Sequence, residues 1–215
     1  RYQLALTHGK GCKLYDADGN EYLDFLAGIA VNSLGHAHPA LVKAISEQAA
    51  KLMHCSNIYY TDIQAKAVKE IIETTGFDRV FLANSGAEAN EGAIKLARKY
   101  GHQKNEGKYR IITAVHSFHG RTMMTVTATG QPKYQQGYEP LPAGFDYVPY
   151  GDLEALREAM DEDVCCVLLE PIQGEGGVHV PSDTYLHEAR LLCDKYDALL
   201  VFDEIQTGVA RTGKW

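Results

Sequence analysis

Apolar runs and helical periodicity alternate along the C-terminal two thirds of the chain. Short apolar runs bounded by turn-forming residues predict strands, and apolar residues spaced three or four apart predict helices. The predicted strands are residues 79–83, 110–115, 164–169 and 198–202, and the predicted helices run from the turn at 84–90 to about 101, over 152–161 and over 182–196. Strands that alternate with helices predict an α/β fold, with a mainly parallel sheet and helices on both faces.

The first third of the chain has a different pattern. Residues 12–16 and 21–25 alternate in character around the turn-forming segment Ala17–Asn20, which predicts a small N-terminal β-hairpin. A loop follows at residues 28–39. It contains His36 and His38, but no carboxylate or cysteine stands close to them in sequence, so the loop predicts no metal site.

Helical periodicity returns at residues 40–53 and 62–75. We therefore predict two parts, the hairpin segment with its loop at residues 1–38 and a large domain at residues 39–215. Within that domain, the proline- and glycine-rich residues 130–151 are predicted to form a long surface loop.

Composition narrows the classes of protein. The chain has 215 residues, 45% of them apolar, and a formal net charge of −7. An acidic balance without a basic cluster argues against nucleic acid or an anionic membrane surface as a partner. No apolar run approaches the roughly 20 residues that span a bilayer, and no signal-peptide pattern is present. Five scattered cysteines favour reduced thiols in a cytosol-like compartment.

Two acidic residues stand at the carboxyl end of the last predicted strand. Asp203 and Glu204 directly follow the apolar residues 198–202. In open α/β sheets this edge is where ligands bind. A buried carboxylate needs a positive partner or several hydrogen bonds, because an unpaired buried charge is costly. We therefore expect a cationic group to meet Asp203.

Small residues begin the helix that follows the first predicted strand. In Ser85-Gly86-Ala87 the backbone N–H groups and the positive end of the helix dipole are accessible, so a phosphate could bind there. Ser85 and Glu88 also have the spacing of a capping box, which needs no ligand, and the sequence leaves both interpretations open. Because this turn and Asp203 both follow strands, they can border one crevice. A ligand with a phosphate at one end and a cationic ring nitrogen at the other would satisfy both.

A phosphate-binding P-loop is the main competing interpretation. Gly208 to Lys214 has the P-loop spacing, and the strand before it resembles a Walker B strand. Trp215 stands where the motif needs Ser or Thr to hold Mg²⁺, and the loop follows no strand directly. The sequence therefore disfavours a P-loop nucleotide-binding protein, while a binding module without catalysis stays open.

Four segments together resemble one enzyme family. They are Asn84–Asn90, His116–Thr122, Leu169–Gly177 and Phe202–Gly208. In this order and spacing they resemble the class III pyridoxal-phosphate-dependent aminotransferases of fold type I, and the resemblance covers essentially the whole chain. Family members that act on N-acetylornithine, in arginine biosynthesis, are most similar in three segments: residues 28–36, 54–60 and 116–121.

The resemblance implies a role for several side chains around pyridoxal 5'-phosphate (PLP). The implied cofactor-binding residues are Ser85, Gly86 and Ala87 at the phosphate, Asp203 at the protonated pyridine nitrogen, Gln206 at the phenolic oxygen and Phe118 on the ring face. The implied substrate-binding residues are Arg121, which would grip the α-carboxylate in a bidentate fork, and Glu175, near the amine-binding side. Glu170 would support the site.

The resemblance also implies groups beyond these residues. The family uses a lysine that forms a Schiff base with PLP, a few tens of residues after the Asp203 motif, and Lys214 follows that motif too closely. We therefore expect this lysine and a C-terminal small domain to follow Trp215, with no catalytic residue among these 215. The isolated chain is expected to be inactive.

The implied reaction moves the terminal amino group of N-acetylornithine to 2-oxoglutarate. Ornithine and 4-aminobutyrate are the alternative amino donors. The implied state is a homodimer in the cytoplasm, or in an organellar matrix in a eukaryote, with no nucleic acid or membrane partner.

Overall fold

The computed structural model describes residues 2–215. Two compact units make up the chain, Arg1–Lys69 and Glu70–Trp215. The division into parts at residue 38 stays a prediction. Within the described residues, no helix is both long enough and apolar enough to cross a membrane.

A three-stranded antiparallel sheet begins the first unit. Its strands, in the order β1-β2-β3, are β1 at Leu6–Lys10, β2 at Lys13–Asp16 and β3 at Glu21–Leu23. The predicted hairpin is confirmed as β2 and β3. Its turn is fixed by the Asp16 carboxylate, which accepts hydrogen bonds from Asn20 N at 2.8 Å and Asp18 N at 3.0 Å. Hydrogen bonds from the side chains of Asn20 and Tyr22 lower the pKa of Asp16 to about 2.

Three helices complete this part of the chain. α1, Ala27–Ala30, lies in the predicted loop and is a left-handed turn, because its φ angles lie between 48° and 65°. α2, Pro39–Ala49, begins with proline at a position where the missing N–H costs nothing. α3, Asp62–Thr75, has the predicted bounds and continues into the second unit.

A four-stranded parallel sheet forms the centre of the second unit. In the order β5-β4-β6-β7, its strands are β4 at Arg110–Ala114, β5 at Phe145–Val148, β6 at Val164–Leu169 and β7 at Leu199–Phe202. All three pairings are parallel. Every residue of β6 is buried, as expected for a strand covered on both faces.

Helices cover both faces of this sheet. They are α4 at Gly86–Lys104, α5 at Met123–Ala128, α6 at Pro132–Gln135, α7 at Leu153–Ala159 and α8 at Tyr185–Lys195. Ile112 and Leu169 pack with residues of α7 and α8, whereas Ile111 and Leu168 pack with residues of α4 and α5. Successive strand residues thus face opposite layers, which confirms the predicted parallel sheet with helices on both faces.

One predicted strand is wrong. Residues 79–83 form no strand, although they precede α4 as predicted. A strand needs a hydrogen-bonded neighbour, and the sheet of the described residues ends at β7 without one for this segment. Phe81 is accordingly 77% exposed and Leu82 46% exposed.

The predicted surface loop at residues 130–151 is also partly wrong. It contains α6 and the strand β5, which pairs with β4 at one edge of the sheet. An edge strand covers little core, so Phe145–Val148 includes an aspartate and a tyrosine and lacks a continuous apolar run. The segment begins with the buried residues Gly130 and Gln131.

Candidate active site

Three loops leave the parallel sheet at one edge and meet the start of α4. The loops are residues 115–122 after β4, 170–177 after β6 and 203–208 after β7. Because parallel strands end at the same edge, the loops lie side by side. The sequence predicts a ligand at this edge.

Asp203 lies where these segments meet. Its side chain is 4% exposed. Oδ2 accepts hydrogen bonds from Asn90 Nδ2 at 2.7 Å and His119 Nδ1 at 2.8 Å, and Oδ1 accepts one from Ile205 N at 3.1 Å. The Asp203 N–H donates to Leu169 O at 2.8 Å, which ties the residue to the end of β6. Asp203 thus joins α4 to the loop after β4 and to the end of β6.

The surroundings of Asp203 favour its charged form. Burial raises the pKa of Asp203, but the hydrogen bond and charge of His119 and the amide of Asn90 lower it by more. The net pKa lies below the ordinary aspartate value. Asp203 therefore carries a negative charge at neutral pH in a nearly dry site. Among the described residues, the titratable group that meets it is the His119 imidazole.

His119 is a site residue that the sequence analysis missed. Its side chain is fully buried, its N–H donates to Thr129 Oγ1 at 2.9 Å, and its carbonyl accepts from Asn90 Nδ2 at 2.9 Å. A carboxylate only accepts, so Nδ1 carries the proton toward Asp203. Nε2 has no hydrogen-bond partner in the described part of the chain. The available signal was its place in the motif His116–Thr122.

The start of α4 carries the predicted cap. Ser85 Oγ accepts from Glu88 N at 3.2 Å, and the Glu88 carboxylate accepts from Asn84 N at 2.8 Å. The first N–H groups of a helix have no acceptor within it, and here they belong to Gly86 and Ala87. The cap and a bound anion are therefore compatible.

Two glycines let the loops approach the start of α4. A Cβ atom at Gly86 would lie 2.7 Å from Ile205 Cγ1, and one at Gly120 would lie 2.8 Å from Ala87 Cβ. Real side chains do not approach so closely, so a larger residue at either position would push the segments apart. The loops after β4 and β7 thereby lie directly against the predicted phosphate-binding turn.

Glu170 connects the loop after β6 to the loop after β4. The residue is 3% exposed, and its carboxylate accepts hydrogen bonds from Phe118 N at 3.1 Å and Gly174 N at 3.5 Å. Burial raises the pKa of Glu170 to about 6, although the nearby His119 opposes the shift. Glu170 fixes the backbone of Phe118, which fits the supporting position predicted for it.

Arg121, Phe118 and Tyr134 form a cluster beside this network. The guanidinium carbon of Arg121 lies 4.4 Å from the Tyr134 ring centroid and 5.9 Å from that of Phe118. The two rings meet edge to face, with centroids 5.6 Å apart. A guanidinium held over an aromatic ring can still donate its N–H groups to a carboxylate.

The Glu175 carboxylate is held by three donors close to that cluster. Gln131 Nε2 and Tyr134 OH donate hydrogen bonds to it, and Lys133 Nζ lies 3.5 Å from it. Burial raises the pKa of Glu175, but these donors lower it by more, so that the net pKa lies below the ordinary value. All three donors lie in the segment predicted as a surface loop, and the sequence analysis missed them.

Gln206 is exposed and lies against the loop after β6. A Cβ atom at Gly174 would lie 2.3 Å from Gln206 Oε1, so this glycine makes room for the amide. The structure thus brings Gln206 to the same sheet edge as Asp203.

A cavity of about 610 Å³ opens beside the candidate site, lined by Val115, His116, Tyr150, Gln173 and His179 among others. It contains none of the residues predicted to bind PLP or substrate. The buried hydrogen-bond network at Asp203 locates the candidate site better than this volume does, because functional chemistry needs convergent polar groups.

The whole chain, residues 1–215, matches the family model Aminotransferase class-III. The chain therefore belongs to the class III aminotransferases, the family that its four motifs resemble. These are PLP-dependent transferases, and the fold described above is their fold type I architecture.

Individual relatives agree with this assignment. The chain is 57% identical over 215 residues to an acetylornithine aminotransferase of Caldanaerobacter subterraneus, and covers 100% of itself and 55% of that protein. The crystal structure of N-acetylornithine aminotransferase from Stenotrophomonas maltophilia is 43% identical, with a TM-score of 0.85 over 99% of this chain and 54% of that one. The ornithine aminotransferase of Toxoplasma gondii is 38% identical, with a TM-score of 0.94 over 100% of this chain and 52% of that one. The chain thus spans about half the length of these relatives.

Proposed function

We propose that this chain forms the cofactor-binding core of a transaminase that moves the terminal amino group of N-acetylornithine to 2-oxoglutarate. The observation that carries this proposal is the buried, ionised Asp203 beside the start of α4, in a chain 57% identical to an acetylornithine aminotransferase. An anionic carboxylate and free helix N–H groups at one sheet edge suit a ligand with a cationic ring and a phosphate.

The donors and acceptors of the site fit PLP. The N–H groups of Gly86 and Ala87, with the Ser85 hydroxyl, would bind its phosphate, and Asp203 would hold the proton on its ring nitrogen. Gln206 would bind the phenolic oxygen. When bound, PLP would supply an electron sink that stabilises negative charge at the substrate carbon that carries the transferred amino group.

The chain's own residues keep this arrangement fixed. His119 and Asn90 orient the Asp203 carboxylate and hold it in its charged form. Phe118, whose N–H is bound by Glu170, would cover the ring face and exclude water from it.

Arg121 and Glu175 would bind the substrate. The planar N–H groups of Arg121 suit a carboxylate, a group that the amino donor and the oxo acid both carry. Glu175, held at Gln131 and Tyr134, would face the amine-bearing part of the donor. Together they place opposite charges at the two ends of an amino-acid substrate.

Two lysines of the second unit have other contacts. Lys108 is 3% exposed and donates to the carbonyls of Glu162 and Tyr196, and Lys133 lies beside Glu175. We therefore assign the covalent role to neither. A polypeptide of these 215 residues alone should bind PLP reversibly and show no turnover. Borohydride treatment should trap no cofactor on it.

A substrate comparison tests the proposed function. The enzyme that contains this chain should use 2-oxoglutarate as acceptor, and its kcat/KM should be highest for N-acetylornithine, then ornithine, then 4-aminobutyrate. A preference for ornithine would favour the second candidate, which the fit to the Toxoplasma gondii ornithine aminotransferase supports at a TM-score of 0.94. Absence of transamination with all three donors would refute the proposal.

We further propose a homodimer in the cytoplasm, or in an organellar matrix in a eukaryote. All five cysteines are free, which suits a reducing compartment. Light scattering on the purified enzyme and cell fractionation test these two points.

A further inference from the structure

Tyr134 contacts three of the residues predicted to bind cofactor or substrate. Its hydroxyl donates to Glu175. Its ring lies 4.4 Å from the Arg121 guanidinium carbon and meets the Phe118 ring edge to face at 5.6 Å. No motif of the sequence assigns Tyr134 a role.

The two ends of Tyr134 meet side chains of opposite charge. The ring face attracts the Arg121 cation, and the hydroxyl binds the Glu175 anion. No direct ion pair joins Arg121 and Glu175 within 4 Å in the described part of the chain. Such a pair would occupy the N–H groups with which Arg121 would bind a substrate carboxylate. Tyr134 instead contacts each of the two side chains with a different part of its own.

The donors of Glu175 have separable roles. Gln131 is 6% exposed and also binds the backbone carbonyl of Ser117 at 3.0 Å, so it anchors the carboxylate to the loop after β4. Lys133 Nζ lies 3.5 Å from Glu175 and 4.6 Å from the Tyr134 ring centroid, with its side chain 62% exposed, so solvent screens the charge that it contributes. Of the three, Tyr134 is the donor that also contacts Arg121.

We propose that Tyr134 is a positioning residue for substrate binding, which holds Arg121 through its ring face and Glu175 through its hydroxyl. This inference rests on the proposed function, because it takes the amino donor and the oxo acid as the ligands of the two side chains. The two contacts have different consequences. The ring contact would serve every substrate that places a carboxylate at Arg121, whereas the hydroxyl contact would serve the amino donor alone.

Two variants separate the contacts. Tyr134→Phe keeps the ring and loses the hydroxyl, so the KM for N-acetylornithine should rise about two- to tenfold while the KM for 2-oxoglutarate stays unchanged. Tyr134→Leu loses both contacts, so the KM for 2-oxoglutarate should also rise, by about two- to fivefold. Tyr138→Phe, at an exposed tyrosine of the same segment, is the control and should change neither KM.

A binding measurement makes the test independent of turnover. Glutarate has the two carboxylates of 2-oxoglutarate without its oxo group, and its Kd for the enzyme can be measured by calorimetry. It should rise about two- to fivefold in Tyr134→Leu and stay unchanged in Tyr134→Phe. Thermal unfolding of each variant identifies any general loss of folding.

The outcomes distinguish this inference from the proposed function. An inactive parent enzyme refutes the proposed function, and glutarate binding still tests the ring contact. An active parent whose folded Tyr134→Leu variant binds 2-oxoglutarate and glutarate normally refutes the ring contact. Equal changes of both KM values in Tyr134→Phe refute the division of roles, since Arg121 keeps its ring partner there.

Discussion

Replacing His119 by phenylalanine should destabilise the protein by about 3 kcal/mol. The side chains of His119 and Asp203 are 0% and 4% exposed and are joined by a hydrogen bond of 2.8 Å. Removing one partner of a buried charged pair costs about 3–5 kcal/mol, because the remaining charge stays buried. We expect a cost at the lower end of this range, because Asp203 keeps Asn90 and Ile205 as donors. Phenylalanine also fills most of the volume of the imidazole ring.

A double-mutant cycle isolates this interaction. The free energy of unfolding of the cofactor-free protein should be measured in urea for His119→Phe, Asp203→Asn and the double variant. Once the Asp203 charge is absent, the loss of His119 should lower the free energy of unfolding by less. The expected coupling energy is about 1.5–3 kcal/mol. Additive costs would refute the argument that the pair stabilises a buried charge.

The pH dependence of the free energy of unfolding is a second test of the interaction between His119 and Asp203. Because the pKa of Asp203 is lowered in the folded state, its stabilising contribution is full above the ordinary aspartate pKa and is lost as the pH falls through the folded pKa. Without His119 that folded pKa rises, so the loss should begin at a higher pH. Parallel acid-unfolding curves of the parent and His119→Phe proteins would contradict this.

Four further predictions concern single residues. Asp203→Ala should lower kcat by about 10²-fold or more, with a much smaller change in PLP affinity measured by titration. Arg121→Lys should raise the KM of both amino donor and oxo acid, and a change in one alone would exclude a shared carboxylate site. Since the pKa of Glu170 is raised to about 6, unfolding free energy should fall as the pH rises toward 6, and Glu170→Gln should abolish that slope. Gly101→Ala, whose Cβ would lie 2.1 Å from a backbone oxygen, should destabilise the fold several-fold more than Gly107→Ala, whose Cβ would meet no atom nearer than 3.3 Å.

The local sequence pattern was sufficient to predict those helices and strands whose formation depends mainly on their own residues. Val164–Leu169 forms a strand with the predicted bounds because a central strand buried on both faces must be apolar throughout. Asp62–Thr75 is likewise a helix with the predicted bounds, since its periodicity is long and continuous. The same strands predict a common edge for their loops, and the structure brings Asp203 and α4 together there.

Elements that depend on distant partners were not predictable in this way. Residues 79–83 are apolar enough for a strand, but no neighbouring strand pairs with them in the described chain. α5 was missed because threonine is common in strands, yet here Thr127 and Thr129 donate to carbonyls one helical turn back.

The supporting residues of the site were missed for a related reason. His119 and Asn90 stand in quoted motifs, but their contact with Asp203 spans 84 and 113 residues of sequence. Gln131 and Tyr134 lie in a segment whose prolines and glycines are typical of a surface loop. The pattern along the sequence indicates which residues bind a ligand. Contacts across the sheet edge decide which other residues support them, and the sequence pattern does not show those contacts.

The span between Asn90 and Asp203 has a consequence for how the protein is made. A ribosome adds about 5–20 residues per second, so the 113 residues between them take about 6–23 s to synthesise. During that interval α4 and the loop that carries His119 can emerge without the carboxylate that both will bind. The carboxylate proposed to meet the ring nitrogen of the cofactor is therefore translated only after the strands β4, β5 and β6. With the proposed binding mode, a nascent chain would offer its phosphate-binding turn early, but it could hold PLP by both ends only once β7 adds Asp203 to the sheet.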